Sequence, residues 1–185
     1  SLFIFMVAAI KVVGLMSLTI SATTWHPRAS LLYPLRIGWA CSGFSHPSLE
    51  HSNFGLLDQV AALQWVNDNI IALRGDAEKI TVMGESAGAN NIDHLMTMPS
   101  GKGLFSQAIH QSGGSSLTNR SIRKAHLQLG EAFANFTLGD DANQPVEGMR
   151  QLSADAILSA ANEIYQNHYF DPVVDGMSVM EPIMN

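Results

Sequence analysis

The run Lys79-Ile80-Thr81-Val82-Met83-Gly84-Glu85-Ser86-Ala87-Gly88 constrains this chain more tightly than any other stretch. Lys79 to Met83 is short, apolar and partly β-branched, which predicts a buried strand. Ala87 to Met96 is rich in Ala, Leu, Met and Ile and predicts a helix. A G-x-S-x-G between a strand and a helix places a serine on a tight, strained turn. The glycines at 84 and 88 are needed because a Cβ at either place would collide with the adjoining strand or helix. The turn lifts the Ser86 hydroxyl clear of the sheet. It also aims the first N–H groups of the helix at whatever bonds to the serine, so that a developing oxyanion meets aligned donors and the positive end of the helix dipole. Ser86 is therefore the candidate nucleophile, Gly84 and Gly88 form the elbow, and the backbone N–H of Ala87 is the candidate oxyanion donor.

Gly-rich turns between strand and helix also occur with no catalytic serine, so the flanking segments matter. Asn53-Phe54-Gly55-Leu56-Leu57-Asp58-Gln59 and Ala62-Leu63-Gln64-Trp65-Val66-Asn67-Asp68-Asn69-Ile70 precede the elbow. Gly75-Asp76 and Ile80-Thr81-Val82 lead into it, and Gly103-Leu104-Phe105, Gln111-Ser112-Gly113-Gly114 and Phe170-Asp171-Pro172-Val173-Val174-Asp175-Gly176 follow it. In this order they resemble the type B carboxylesterase and cholinesterase family, from about Ser45 to Pro182. The resemblance implies a partial α/β-hydrolase fold, a mostly parallel sheet flanked by helices. It implies a carboxylic ester hydrolase that acts on small-molecule esters through a serine acyl-enzyme on Ser86, with no cofactor. Glu85 resembles the family's elbow glutamate, which lines the pocket and tunes its electrostatics; it is not the triad acid. The triad glutamate and histidine are expected beyond Asn185. The alternative from another class is a cholinesterase-like adhesion or scaffold protein that kept the fold and lost catalysis. The intact serine speaks against it.

Composition removes other classes. The chain has a net charge of −6 and is 46% hydrophobic, which provides no basic face for a nucleic acid. The seven histidines are scattered, with no Cys or His partner at i+3 or i+4, so no metal site is expected. A single cysteine, Cys41, excludes an intrachain disulfide. Nothing signals a specific protein partner. Leu2 to Ile20 is apolar, but Lys11 interrupts it and no unbroken run reaches the ~20 residues a membrane span needs.

The chain divides into an atypical segment, 1–44, and a partial carboxylesterase domain, 45–185. Where the family resemblance calls for a strand, an H-G-G-G loop and a second strand ending in Y-R-L-G, the written residues of 1–44 carry none of them. The genetic code suggests a reason. Phe5-Met6-Val7 must be encoded TTY-ATG-GTN, and one base earlier this reads YAT-GGT, where CAT-GGT is His-Gly. Val7, Ala8 and Ala9 allow two further glycines. In that frame Trp25-His26 forces an alanine, Ala29 to Tyr33 permits four valines, and Ile37 to Phe44 permits R-L-G, then V or M, then F-G-F. Ser45-His46-Pro47 resumes in the written frame. The segment from about 2 to 44 is accordingly read as translated out of frame, with a one-base insertion or deletion near Gly43 to Ser45, and is expected to be disordered or misfolded.

In the remainder, Leu56, Val60, Leu63, Val66 or Asn67, and Ile70 recur at helical spacing, with Gly75 as the expected C-cap. Arg74-Gly75-Asp76 is read as a turn only. Gln107 to Gln111 predicts a strand. Arg123 to Phe136 and Ala154 to Gln166 predict helices, with Ser153 as N-cap of the second. Asn119-Arg120-Ser121 and Asn135-Phe136-Thr137 are sequons that matter only in a secreted protein. His94 is read as a surface or packing histidine, and His110, on a strand expected to be buried, as a satisfied structural one.

Overall fold

The computed structural model describes residues 2–8, 16–21, 32–37, 52–113, 121–139, 145–165 and 172–180. Five strands form one sheet: β1 (Leu2–Ala8), β2 (Met16–Ser21), β3 (Leu32–Ile37), β4 (Ile80–Ser86) and β5 (Gln107–Gln111), in the order β3-β2-β1-β4-β5. The strand carrying the serine is flanked on both sides by parallel neighbours, β1 and β5. The β1–β2 and β2–β3 pairings are antiparallel. Within this sheet parallelism is thus confined to the strands around β4. The connections 9–15 and 22–31 are shorter than the crossover of roughly a dozen residues or more that a parallel return demands.

Within 1–44, the segment read as out of frame, the described residues form the strands β1, β2 and β3. Leu2–Ala8 is a continuous apolar run of the kind that suits a buried parallel strand, and Pro34 is tolerated in β3 because β3 is an edge. Cys41 and the proposed frame junction near Gly43 to Ser45 lie outside the described residues, as do the sequon asparagine Asn119 and Pro182.

Helices α1 (Phe54–Asn69) and α2 (Ala87–Thr97) build the main core with β4. Leu63 and Val66 of α1 meet Ile80 and Val82 of β4 and Ile92 and Leu95 of α2, all 2% exposed or less. The chain leaves α1 by a tighter route than the predicted glycine cap. The left-handed residue is Arg74 (φ 63°), and the Gly75 N–H bonds to the Ile70 carbonyl at 2.8 Å. Gly75 is needed there for room: a Cβ would meet the Ile70 side chain. A second cluster joins α3 (Arg123–Leu138), α4 (Pro145–Arg150) and α5 (Ala154–Tyr165) around Phe133, Ala134, Met149 and Ala161. The predicted cap of α5 is present, with the Ala156 N–H donating to Ser153 Oγ at 3.2 Å. Two short strands, β6 (Ser121–Ile122) and β7 (Val173–Val174), pair in parallel.

A buried polar latch ties the C-terminal part to the start of α1. Asn53, in the left-handed region (φ 58°), caps the helix through its own carbonyl, which accepts from the N–H groups of Leu56 and Leu57. Its side-chain amide donates to the Val173 carbonyl at 2.8 Å, and its side-chain oxygen accepts from the Val173 N–H at 2.8 Å. Asp175 accepts from the N–H groups of Met177, Ser178 and Val179 and from the Ser178 hydroxyl, the last at 2.6 Å. Burial raises the Asp175 pKa. The hydrogen bonds from Ser178, Met177 and Val179 together outweigh it and leave the carboxyl below its ordinary value of 3.8. A pKa depressed on folding contributes stability that is present above the unfolded value and lost as pH falls through the folded one. Urea midpoints measured between pH 6 and pH 2 are therefore expected to fall most steeply below the ordinary aspartate range, and Asp175→Asn to flatten that fall.

Candidate active site

Ser86 is the last residue of β4, and α2 begins at the next residue, Ala87, with no intervening loop. This junction sets Ser86 at φ 53° and ψ −118°, a left-handed φ without the ψ of the ordinary left-handed region. A non-glycine residue held in so sparse a region costs about 1–3 kcal/mol, and the surroundings must enforce it. Two glycines permit that enforcement. A Cβ on Gly84 would lie 2.5 Å from the Gly88 carbonyl oxygen and 2.8 Å from the Ala89 nitrogen. A Cβ on Gly113 would strike the Ser86 carbonyl oxygen and come within 2.9 Å of the Ala89 Cβ. The first approach brings the helix back over its own strand. The second packs the segment after β5 against the elbow.

Because backbone atoms cannot swing aside as a flexible side chain can, Gly84→Ala is expected to destabilise the fold by about 2–3 kcal/mol. A shift of the denaturation midpoint at unchanged slope is the measurement that checks it.

The register places the other site residues. Glu85 and Ser86 of β4 stand opposite Val7 and Ala8 of β1, and Glu85 also stands opposite Gln111 of β5. Glu85 and Ser86 are half-buried, whereas Gly84 and Gly88 are buried. The hydroxyl-bearing residue thus lies at the C-terminal end of three parallel strands and at the N-terminus of an 11-residue helix. That is where a negatively charged group finds free N–H donors and the positive end of the helix dipole.

His94 agrees with the packing expectation, whereas β5, which carries His110, is exposed along its length and not buried as expected. His94 is buried in α2 at 4% exposure, a packing residue. His110 stands opposite Gly84 in the β4–β5 register, and its Nδ1 lies 3.3 Å from Asp93 Oδ1 on α2. Sequence reasoning missed this Asp93–His110 pair, which sutures the elbow helix to the neighbouring strand. Among the described residues no group of three His, Cys, Asp or Glu side chains is placed to hold a metal ion. No described helix is long and apolar enough to cross a membrane.

The model of the Carboxylesterase family matches residues 38–184. The para-nitrobenzyl esterase of Bacillus subtilis (strain 168) is 39% identical over 137 residues, which is 70% of this chain and 27% of that protein. Neuroligin-2 of Rattus norvegicus is 35% identical over 127 residues, 67% of this chain and 15% of that protein. Among solved structures, Geobacillus stearothermophilus carboxylesterase EST55 at pH 6.8 superposes with a TM-score of 0.73 at 26% identity, over 98% of this chain and 40% of that one. A PNB esterase superposes at 0.70 with 32% identity, over 83% of this chain and 32% of that one. The chain therefore spans about a quarter or less of the length of the curated relatives it matches most strongly. The matched region takes in the elbow, β5 and the latch, whereas β1, β2 and β3 precede it. With its fold that of the α/β-hydrolase carboxylesterases, the chain belongs to the Carboxylesterase family.

Proposed function

We propose that the protein to which this chain contributes hydrolyses carboxylic esters of small molecules through an acyl-enzyme on Ser86. The observation that carries the reading is the strained strand-to-helix junction at Ser86, buttressed by Gly84 and Gly113. In this reading Ser86 Oγ attacks the ester carbonyl and the leaving alcohol departs with a proton from the general acid–base. Water then attacks the acyl-enzyme and releases the acid. The Ala87 N–H supplies one oxyanion donor. Glu85 lines the pocket, where its carboxylate favours an imidazolium on the catalytic base. Loss of even one oxyanion donor costs about 10²–10³ in rate.

The likeness to Neuroligin-2 supports a second reading, a family member that binds and does not catalyse. Pre-steady-state hydrolysis of p-nitrophenyl butyrate by the gene's full-length product separates the two. A burst of p-nitrophenol close to one per protein, followed by slower turnover, is expected of an acyl-enzyme. Its absence, with no steady-state turnover, favours the binding protein.

A further inference from the structure

We propose that Asp93 and His110 are positioning residues for the acyl-transfer step, a polar pair that sets the rotation of α2 and through it the aim of the Ala87 N–H and the Ser86 hydroxyl. The proposal rests on Ser86 being the nucleophile. α2 follows Ser86 with no intervening residue, so any turn or slide of the helix passes directly to the nucleophile and to the donor beside it. Apolar contacts beneath the helix fix its depth. Ile92 and Leu95, both fully buried, pack into the cluster with Ile80, Val82 and Leu63. Such contacts are non-directional, and a helix resting on them keeps its burial through small rotations about its axis. A directional polar contact on one flank of the helix removes that freedom.

β5 and the residues after it supply that flank at two heights. At the elbow, a Cβ on Gly113 would lie 2.9 Å from the Ala89 Cβ, which sets the segment after β5 against the first turn of α2. Asp93 stands one turn further along the same helix face as Ala89. Its Oδ1 lies 3.3 Å from His110 Nδ1. Along α2 the contacts run from Gly113 back to His110, the order required of a helix that returns against the direction of its parallel strands. Pairing with β4 aims the imidazole. His110 stands opposite Gly84, whose missing Cβ would point at Gly88 and Ala89 of α2, so the His110 side chain leaves the sheet on that same face. The Asp93 and His110 side chains are 16% and 28% exposed, so water screens the pair only in part. Nδ1 carries a proton in the imidazolium and in one neutral tautomer, and the contact is directional in both. Lys79–Asp76 and Arg150–Glu147, by contrast, join residues three apart in sequence and hold no element against another.

Steady-state hydrolysis of p-nitrophenyl butyrate by the full-length protein tests this, with a urea midpoint measured for every variant. His110→Ala and Asp93→Ala are each expected to lower kcat about 10-fold while KM changes by less than about 2-fold. A misaimed donor is weakened and not lost, so the effect falls short of the roughly 10²–10³ that removing one costs. The double variant is expected to match the single ones, because either change breaks the same contact. His110→Asn, whose side-chain amide nitrogen falls where Nδ1 stood, is expected to restore kcat to within about 3-fold of the unaltered protein. Unchanged kcat in both alanine variants overturns the proposal. So does a loss of kcat that follows the urea midpoint, adds up in the double variant or is not recovered by His110→Asn, since the pair is then structural only. Activity that survives Ser86→Ala refutes the nucleophile reading and the proposal with it, a result that no change at 93 or 110 can produce.

Discussion

Ser86→Ala in the full-length protein is expected to lower kcat/KM for p-nitrophenyl esters by about 10⁴-fold or more. The same change is expected to leave stability within about 0.5 kcal/mol. The two halves of this result have separate causes. In the proposed mechanism the hydroxyl forms the covalent intermediate, and alanine has no group to replace it. The strain at φ 53° belongs to the backbone and is shared by alanine, which has a Cβ as serine does. Activity should therefore vanish without a change in the urea midpoint. A loss of both would mean that the serine is a structural residue whose removal disturbs the elbow.

The second large effect is expected at the latch, far from the chemistry in sequence. Asp175→Ala removes the acceptor for three backbone N–H groups and one hydroxyl, in a site where Asp175, Ser178 and Asn53 are each no more than 6% exposed. Buried donors stripped of a partner keep their desolvation cost, and three of them place the loss at about 3–5 kcal/mol. Marginal stability of a natural domain is about 5–15 kcal/mol, so such a loss would leave much of the protein unfolded at physiological temperature. Asp175→Asn retains one side-chain oxygen and is expected to cost roughly half as much. Urea denaturation of both variants checks the order. Asn53→Ala should act on the same network and add less than its single value when combined with Asp175→Ala, because the two share partners through Ser178.

How much of this was legible in the sequence depended on whether the controlling interaction was local. The elbow was: a β-branched run, two glycines at fixed spacing and an Ala-rich helix are all written within residues 79–97, and β4 and α2 form there. α1, β5, α3 and α5 were legible for the same reason, as was the Ser153 cap. The latch was not. Asn53 and Val173 are 120 residues apart, and no periodicity announces a hydrogen bond across that distance. Only the family resemblance of Asn53-Phe54-Gly55 and Val174-Asp175-Gly176 marked the two ends. The Asp93–His110 pair likewise depends on the β4–β5 register, which sequence spacing leaves open. At Gly75 the glycine was correctly marked as special and given the wrong role. Crowding by Ile70 sets its requirement, and Arg74 takes the left-handed turn. In 1–44, β1 pairs with β4 because an apolar run beside a buried parallel strand finds backbone partners whatever its exact side chains.

Peptide mapping of the full-length protein after fluorophosphonate treatment tests the assignment of Ser86 most directly. The expected result is one phosphonate per chain, on the peptide containing Gly84-Glu85-Ser86-Ala87-Gly88, and none in Ser86→Ala. A full-length protein that is folded by circular dichroism and takes no phosphonate on that peptide, or takes it equally with alanine at position 86, would contradict a nucleophilic role for Ser86.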